Sequence, residues 1–126
     1  THLMPVAGKP LLDWILVDLA AAGIKQVGLV VGHYSEAIKE YVGEGSHWGL
    51  TATYLTQEQP QGLADAVNTA REFVGQESFV VYLGDTVVEP DLTDFVQWFE
   101  EEGANAALWV KEVDDPGRYG IVEMQQ

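Results

Sequence analysis

The sequence contains no cysteine, few basic residues and no long hydrophobic run. Without cysteine the chain can form neither disulfide bonds nor thiolate metal sites, and this composition suits the cytoplasm, where we expect the protein to act. No apolar stretch reaches the roughly 20 residues of a membrane-spanning helix, so we expect no membrane partner. The 47% of hydrophobic residues is instead enough for a packed core.

The shortage of basic residues restricts the possible ligands. Six Lys and Arg stand against 20 Asp and Glu, giving a net charge of −14. Such a surface repels DNA, RNA and anionic lipid, so we expect no nucleic-acid partner. A site for an anionic nucleotide would need a divalent cation and locally placed Lys or Arg. The acidity also suggests a hypothesis of adaptation to high salt.

The 126 residues correspond to one domain or part of one. Hydrophobic periodicity and helix caps predict four helices, at Pro10–Ala22, from the Ser35 cap to Val42, at Leu63–Val74, and from the Asp91 cap to near Gly103. Apolar and alternating runs predict strands at Gln26–Val31, Thr51–Leu55, Phe79–Leu83, Ala106–Val113 and Gly120–Met124. This alternation predicts an α/β fold with a mostly parallel sheet and helices on both faces.

Asp85 is the first candidate for a functional side chain, because it follows the apolar run Phe79–Leu83 and Gly84. Ligands of open α/β sheets bind outside the carboxyl ends of the strands, and a glycine lets them approach the backbone. An aspartate there can hold Mg²⁺ together with phosphate oxygens. Position alone is equally compatible with a turn-forming aspartate.

The segment Gln57–Ala66 is the second candidate, because it joins a strand to a helix through a Pro/Gly turn. The Gln57 amide has both a donor and an acceptor for the edge of a nucleobase. Gly62 would leave room for the base against the backbone. The alternative is an ordinary connection with glycine at a tight turn.

Two further segments offer polar groups. Lys9 precedes a helix start, where it is either solvated or paired with a phosphate. Residues 114–120 read as a polar turn, in which Tyr119 and Gly120 could line a pocket.

Together these segments resemble the sugar-1-phosphate nucleotidyltransferases, most closely the glucose-1-phosphate thymidylyltransferase-like group. The matching pieces follow one another along nearly the whole chain: Leu3–Leu11, Ala22-Gly23-Ile24, Gly43–Leu50, Gln57–Ala66, Leu83-Gly84-Asp85 and Asp115–Glu123.

The resemblance implies a Rossmann-like fold and an enzyme that transfers a nucleotidyl group from dTTP or UTP to a sugar 1-phosphate. It implies a homo-oligomer with Mg²⁺ as the cofactor. The implied site residues are Gln57, Gly62 and Leu63 for the base, Asp85 for catalysis and the metal, Lys9 for phosphate, and Tyr119, Gly120 and Glu123 for the sugar phosphate. The alternative is a non-catalytic relative that senses a ligand or assembles subunits.

The resemblance also indicates a single, incomplete domain over residues 1–126. The glycine-rich loop G-x-G-x-R would precede Thr1, which stands where the family has a lysine, and a Glu-Lys-Pro segment would follow Gln126. We therefore expect this piece alone not to turn over. The family's first strand would lie between Gln26–Val31 and Phe79–Leu83, so we expect that gap to be filled by upstream residues, a partner chain or a rearranged sheet.

Overall fold

The structure is a computed structural model that describes residues 3–86, 91–119 and 122–124. Its strands are β1 (Pro5–Val6), β2 (Lys9–Pro10), β3 (Gln26–Val31) and β4 (Thr51–Thr56). Its α-helices are α1 (Leu11–Ala21), α2 (Glu36–Val42), α3 (Leu63–Thr69), α4 (Arg71–Val74) and α5 (Leu92–Glu102). Single 3₁₀ turns cover Ser46–Trp48 and Pro116–Arg118. Among the described residues, no helix is both long and apolar enough to cross a membrane.

A short hairpin introduces the first helix. Strands β1 and β2 pair antiparallel through a two-residue turn in which both Ala7 (φ 48°) and Gly8 (φ 85°) have positive φ. This is the backbone of the turn that best matches the twist of paired strands. The hairpin therefore places Lys9 on β2 rather than at a free helix start.

Helix α1 is the centre of the core. Its buried apolar face comprises Leu11, Leu12, Ile15, Leu16 and Leu19. The helix ends as the sequence predicts, at a glycine in the left-handed region, where the amides of Gly23 and Ile24 donate to the carbonyls of Ala20 and Leu19. This pair of hydrogen bonds is the Schellman motif. It explains why the helix ends at Ala22-Gly23-Ile24 and why the chain then turns into β3.

Strands β3 and β4 form a parallel pair, with Gln26 opposite Thr51 and Val31 opposite Thr56. Val27 points into the core beside α1. Its neighbour Gly28 faces the other side, where a β-carbon would lie 2.8 Å from the ring of Phe73 in α4. Helices thus cover both faces of the pair, as expected for the α/β class.

Two helix predictions need correction. The helix expected over 63–74 breaks at Ala70, whose amide bonds to the carbonyl of Val67, three residues back, so that α3 and α4 are separate. Ser35 occupies the N-cap position of α2 but its side chain makes no capping hydrogen bond. Asp91 behaves as predicted, because its carboxylate accepts from the amide of Thr93 at 2.9 Å before α5.

The strands predicted at 79–83 and 106–113 are wrong for this structure. The first has the expected alternation, since Val80 and Tyr82 pack against the core while Val81 is half exposed. A strand also needs a neighbour for its ladder hydrogen bonds, however, and the described part of the chain places none beside either segment. Of the strand predicted at 120–124, residues 120 and 121 lie outside the described residues, and 122–124 are not in a strand.

The gap expected beside β3 is not filled by any strand in the part of the chain that the structure describes. In the described residues β3 pairs only with β4, and no rearranged strand lies between β3 and residues 79–83. The described residues therefore do not show the strand order implied by the resemblance. Filling by upstream residues or by a partner stays a prediction.

The segment Gly43–Leu50 connects α2 to β4 and contacts α1 through a hydrogen bond. Asp13, buried in α1, accepts hydrogen bonds from the indole N–H of Trp48 (2.6 Å) and the hydroxyl of Tyr41 (3.1 Å). Burial, helped by the hydrogen bond to Asp13 and its charge, raises the pKa of Tyr41, so its hydroxyl remains a donor. Hydrogen bonds to a charged acceptor are the stronger kind, so Trp48 has a structural role here.

This loop generates a prediction about two of its glycines. Gly45 and Gly49 both have left-handed backbone, but a β-carbon would lie 3.0 Å from the Leu50 carbonyl oxygen at Gly45 and would meet nothing within 4 Å at Gly49. We expect Gly49→Ala to cost about 1–2 kcal/mol of unfolding free energy for backbone strain alone. Gly45→Ala should cost about 1–3 kcal/mol more, through crowding. Denaturant unfolding of the two full-length variants measures this difference. Equal losses of unfolding free energy would show that crowding at Gly45 does not contribute.

Candidate functional site

The carboxyl ends of β3 and β4 meet at one edge of the parallel pair. The amide of Gln57, the first residue after β4, donates to the carbonyl oxygen of Val31 at 2.8 Å and extends the ladder by one step. Ligands of α/β sheets bind at this kind of edge. The backbone of Gln57 is therefore fixed where the sequence places a binding side chain.

The Gln57 side chain is held by a second element. Its Nε2 donates to Oδ2 of Asp65 at 2.6 Å, and both residues are half-buried. Asp65 lies in the first turn of α3, and the hydroxyl of Thr69 donates to its backbone carbonyl at 2.9 Å. The end of β4 and the start of α3 are thus linked by a side-chain pair across the intervening turn.

The turn itself is shaped by Gly62 and His33. Gly62 has φ 99° and ψ −178°, a backbone essentially restricted to glycine, and a β-carbon there would face open space. The imidazole Nε2 of His33, which follows β3, lies 2.8 Å from the carbonyl oxygen of Glu58. Leu63 is 56% exposed and so is available to contact a ligand.

An open cleft of about 400 Å³ borders this turn. Its lining residues are Thr56, Glu58, Gln59, Gln61, Asp65 and Thr69. Gln57 is not among them, although its partner Asp65 is. The cleft is polar and contains no basic side chain in its lining, so an anionic ligand would need a cation brought from elsewhere.

Asp85 is exposed at the end of the 79–83 segment. The hydroxyl of Thr86 donates to its Oδ1 at 3.1 Å, and the amide of Thr86 donates to the carbonyl of Leu83. The described residues contain no cluster of three His, Asp or Glu side chains that could form an all-protein metal cage. A single accessible carboxylate does fit Mg²⁺, which is commonly held by one or two carboxylates together with substrate phosphates.

Lys9 borders a different cleft. Its ammonium lies 5.1 Å from the ring centre of Trp14, a cation–π contact, and it lines a cavity of about 350 Å³ with Asp13, His47 and Trp48. The clefts of Lys9 and Asp65 share no lining residue. In this chain the structure therefore does not bring Lys9 into the cleft beside Gln57.

The predicted sugar-side residues lie near the end of the chain. Tyr119 follows the 3₁₀ turn Pro116–Arg118 and is 64% exposed, and Glu123 is also exposed. Asp115 accepts from the amide of Gly117, so the polar turn forms as predicted. Gly120 lies outside the described residues.

Two residues of this site are missing from the sequence prediction, Asp65 and His33. Asp65 lies within the quoted segment Gln57–Ala66, and the available signal was a carboxylate placed eight residues after an amide, across a turn. His33 carries no such signal, because its contact is to a backbone carbonyl 25 residues away.

Comparison with known proteins decides the family. The sequence model of the family described as nucleotidyl transferase matches residues 1–126. The chain belongs to the nucleotidyl transferase family. The family match confirms the resemblance inferred from the sequence, which rests on segments along nearly the whole chain rather than on one motif.

Two curated relatives each share two fifths of the aligned residues. The chain is 40% identical over 124 residues to the low-salt glycan biosynthesis nucleotidyltransferase Agl11 of Haloferax volcanii, covering 98% of this chain and 35% of the relative. It is also 40% identical over 123 residues to a glucose-1-phosphate thymidylyltransferase of Streptomyces griseus, with the same coverage of 98% and 35%. The chain thus spans about a third of the length of these relatives.

A solved structure supports the fold. A Bacillus anthracis protein assigned as a glucose-1-phosphate thymidylyltransferase, crystallised with sucrose, superposes with a TM-score of 0.91 at 29% identity. The match covers 98% of this chain and 51% of that one. The α/β, Rossmann-like fold class is therefore confirmed.

Proposed function

We propose that the protein containing this chain transfers a nucleotidyl group from a nucleoside triphosphate, dTTP or UTP, to a sugar 1-phosphate. An oxygen of the sugar phosphate attacks the α-phosphorus and forms the new P–O bond. The bond from the α-phosphorus to the bridging oxygen breaks, and pyrophosphate leaves with its electron pair. The products are a nucleoside diphosphate sugar and pyrophosphate.

The observation that carries the proposal is the anchoring of Gln57. A side chain with both a donor and an acceptor is fixed at the carboxyl edge of a parallel pair, by the backbone bond to Val31 and the side-chain bond to Asp65. The family membership supports a nucleotide as the ligand at this edge. In this reaction the protein mainly aligns the substrates and offsets charge, which requires such fixed groups.

The remaining roles are those that the family resemblance implies. Gly62 leaves open space beside the backbone, and the exposed Leu63 would pack against the base. Tyr119, Gly120 and Glu123 would contact the sugar phosphate, and Lys9 would meet phosphate in the complete protein.

Asp85 is the residue that would hold Mg²⁺ near the α-phosphate. When bound, the ion would offset the negative charge of the phosphates. Asp85 itself keeps an accessible carboxylate at the end of an apolar segment, with Thr86 fixing one of its oxygens. The acidic composition makes this role more important, since few basic side chains are available.

The alternative function is a non-catalytic relative that senses a ligand or assembles subunits. Thr1, where the family has a lysine, favours it, and the anchored Gln57 and accessible Asp85 favour catalysis. The two alternatives are distinguished by whether the full-length gene encodes G-x-G-x-R ahead of Thr1.

We also propose that the acidic surface is an adaptation to high salt. Among the described acidic side chains, all but Asp13, Asp18 and Asp65 are exposed. Burial raises the pKa of half-buried Asp18, the hydrogen bond from the Tyr82 hydroxyl lowers it, and the nearby charge of Asp91 raises it by a smaller amount.

Replacing Gln57 tests the proposed base site. Two hydrogen bonds to a base are worth about 1–3 kcal/mol, so Gln57→Ala in the full-length protein should weaken dTTP and UTP binding by that amount. Binding of inorganic tripolyphosphate, which has no base, should not change. Gln59→Ala, in the same turn, is the matched control. Calorimetric titration measures all three ligands, and equal losses for dTTP and tripolyphosphate would show that Gln57 acts elsewhere.

Replacing Asp85 tests the metal role. Asp85→Asn keeps the shape and removes the charge, so turnover of the full-length enzyme should fall about 100-fold or more. The melting temperature should hardly change, because the side chain is exposed. Asp114→Asn, at another exposed aspartate, should leave turnover intact. Near-normal turnover of Asp85→Asn at saturating Mg²⁺ would contradict the assignment.

The salt proposal predicts a rising melting temperature between dilute buffer and molar KCl. At molar salt the screening length is only about 3 Å, which relieves repulsion among the exposed carboxylates. Sucrose at equal osmolality serves as the control, because it adds no ions. A flat response to KCl, or an equal response to sucrose, would show that the acidity has another cause.

A further inference from the structure

The bond between Gln57 and Asp65 determines which way the Gln57 amide faces. An ionised carboxylate can accept hydrogen bonds but has none to donate. At 2.6 Å from Oδ2 of Asp65, the amide group must therefore present its nitrogen to Asp65 and its oxygen away from it. Without such a partner, a glutamine amide can turn by 180° and exchange its donor and acceptor.

The fixed Gln57 amide keeps hydrogen-bonding groups that a ligand can use. One N–H of Nε2 is used by Asp65, so one N–H and the carbonyl oxygen remain. Among the described residues the Gln57 side chain makes no other hydrogen bond. These two groups form a donor and an acceptor in a fixed order.

That order matters for the choice of base. Uracil and thymine present an N–H at position 3 beside carbonyl oxygens, whereas cytosine presents a bare nitrogen at position 3 beside an amino group. At positions 3 and 4 the two edges have donors and acceptors exchanged, whereas the carbonyl at position 2 is common to both. A freely turning amide can match either edge, but an amide with one fixed orientation matches only one of them.

We propose that Asp65 is a positioning residue that locks the Gln57 amide and thereby makes the site select uracil or thymine over cytosine. This inference rests on the proposed function, in which Gln57 meets the base. Asp65 is suited to the role because the Thr69 hydroxyl donates to its backbone carbonyl at 2.9 Å, and because it borders the cleft while its carboxylate bonds to Gln57.

The test compares kcat/KM for UTP, dTTP and CTP in the full-length enzyme. In Asp65→Ala the amide is released, so the preference for UTP over CTP should fall about threefold to tenfold, which corresponds to one misplaced hydrogen bond. The change should appear mainly in KM, because the reacting phosphates are untouched. Asp94→Ala, at an exposed aspartate that also lies in the first turn of a helix, should keep the wild-type preference.

Asp65→Asn provides a second variant if the alanine variant folds poorly. Its amide can either accept from or donate to Gln57, so the orientation is again undetermined and the preference should fall. In a Gln57→Ala background, Asp65→Ala should change the base preference no further.

The outcomes separate this inference from the proposed function. A wild-type enzyme that prefers UTP or dTTP over CTP, with the same preference in both Asp65 variants, would overturn the role of Asp65 alone. A further loss of preference from Asp65→Ala in the Gln57→Ala background would also overturn it, because Asp65 would then act independently of Gln57. No turnover with any of the triphosphates would overturn the proposed function, and this inference with it.

Discussion

The parallel pairing of β3 with β4 is the constraint on which the rest of the structure depends. Its register sets the backbone of Gln57, because the ladder continues past the strand end to the carbonyl of Val31. The same pair presents Val27 to α1 on one face and Gly28 to Phe73 on the other. Packing, the helix layers and the candidate site are therefore built on a single two-stranded ladder.

Local signals predicted much of this arrangement. The glycine stop after α1 and the Asp91 cap of α5 depend on nearby residues, and both were found. The strands predicted at 26–31 and 51–55 were also found, because each has the other as its partner. The strand predicted at 79–83 failed because strand formation depends on a neighbour, which no local pattern supplies. The Gln57–Asp65 pair was also missed, because its geometry depends on how the turn folds back, and composition does not fix that.

The candidate site has negative charge in its lining and no basic side chain to offset an anionic ligand. Asp65 and Glu58 line the cleft beside Gln57, and a nucleoside triphosphate is itself anionic. The only side-chain partner of Asp65 among the described residues is the uncharged Gln57 amide, and the net charge of the chain is −14. The proposed transfer would therefore need a divalent cation, and Asp85 is the accessible carboxylate that we propose to hold it.

The most direct measurement is hydrogen–deuterium exchange of the full-length protein with and without dTTP and Mg²⁺. It distinguishes the cleft beside Gln57 from the one lined by Lys9 and Trp48. If the nucleotide binds beside Gln57, exchange should slow across residues 57–66 and 84–86, with no change across 43–50. Protection across 43–50 without any across 57–66 would contradict it.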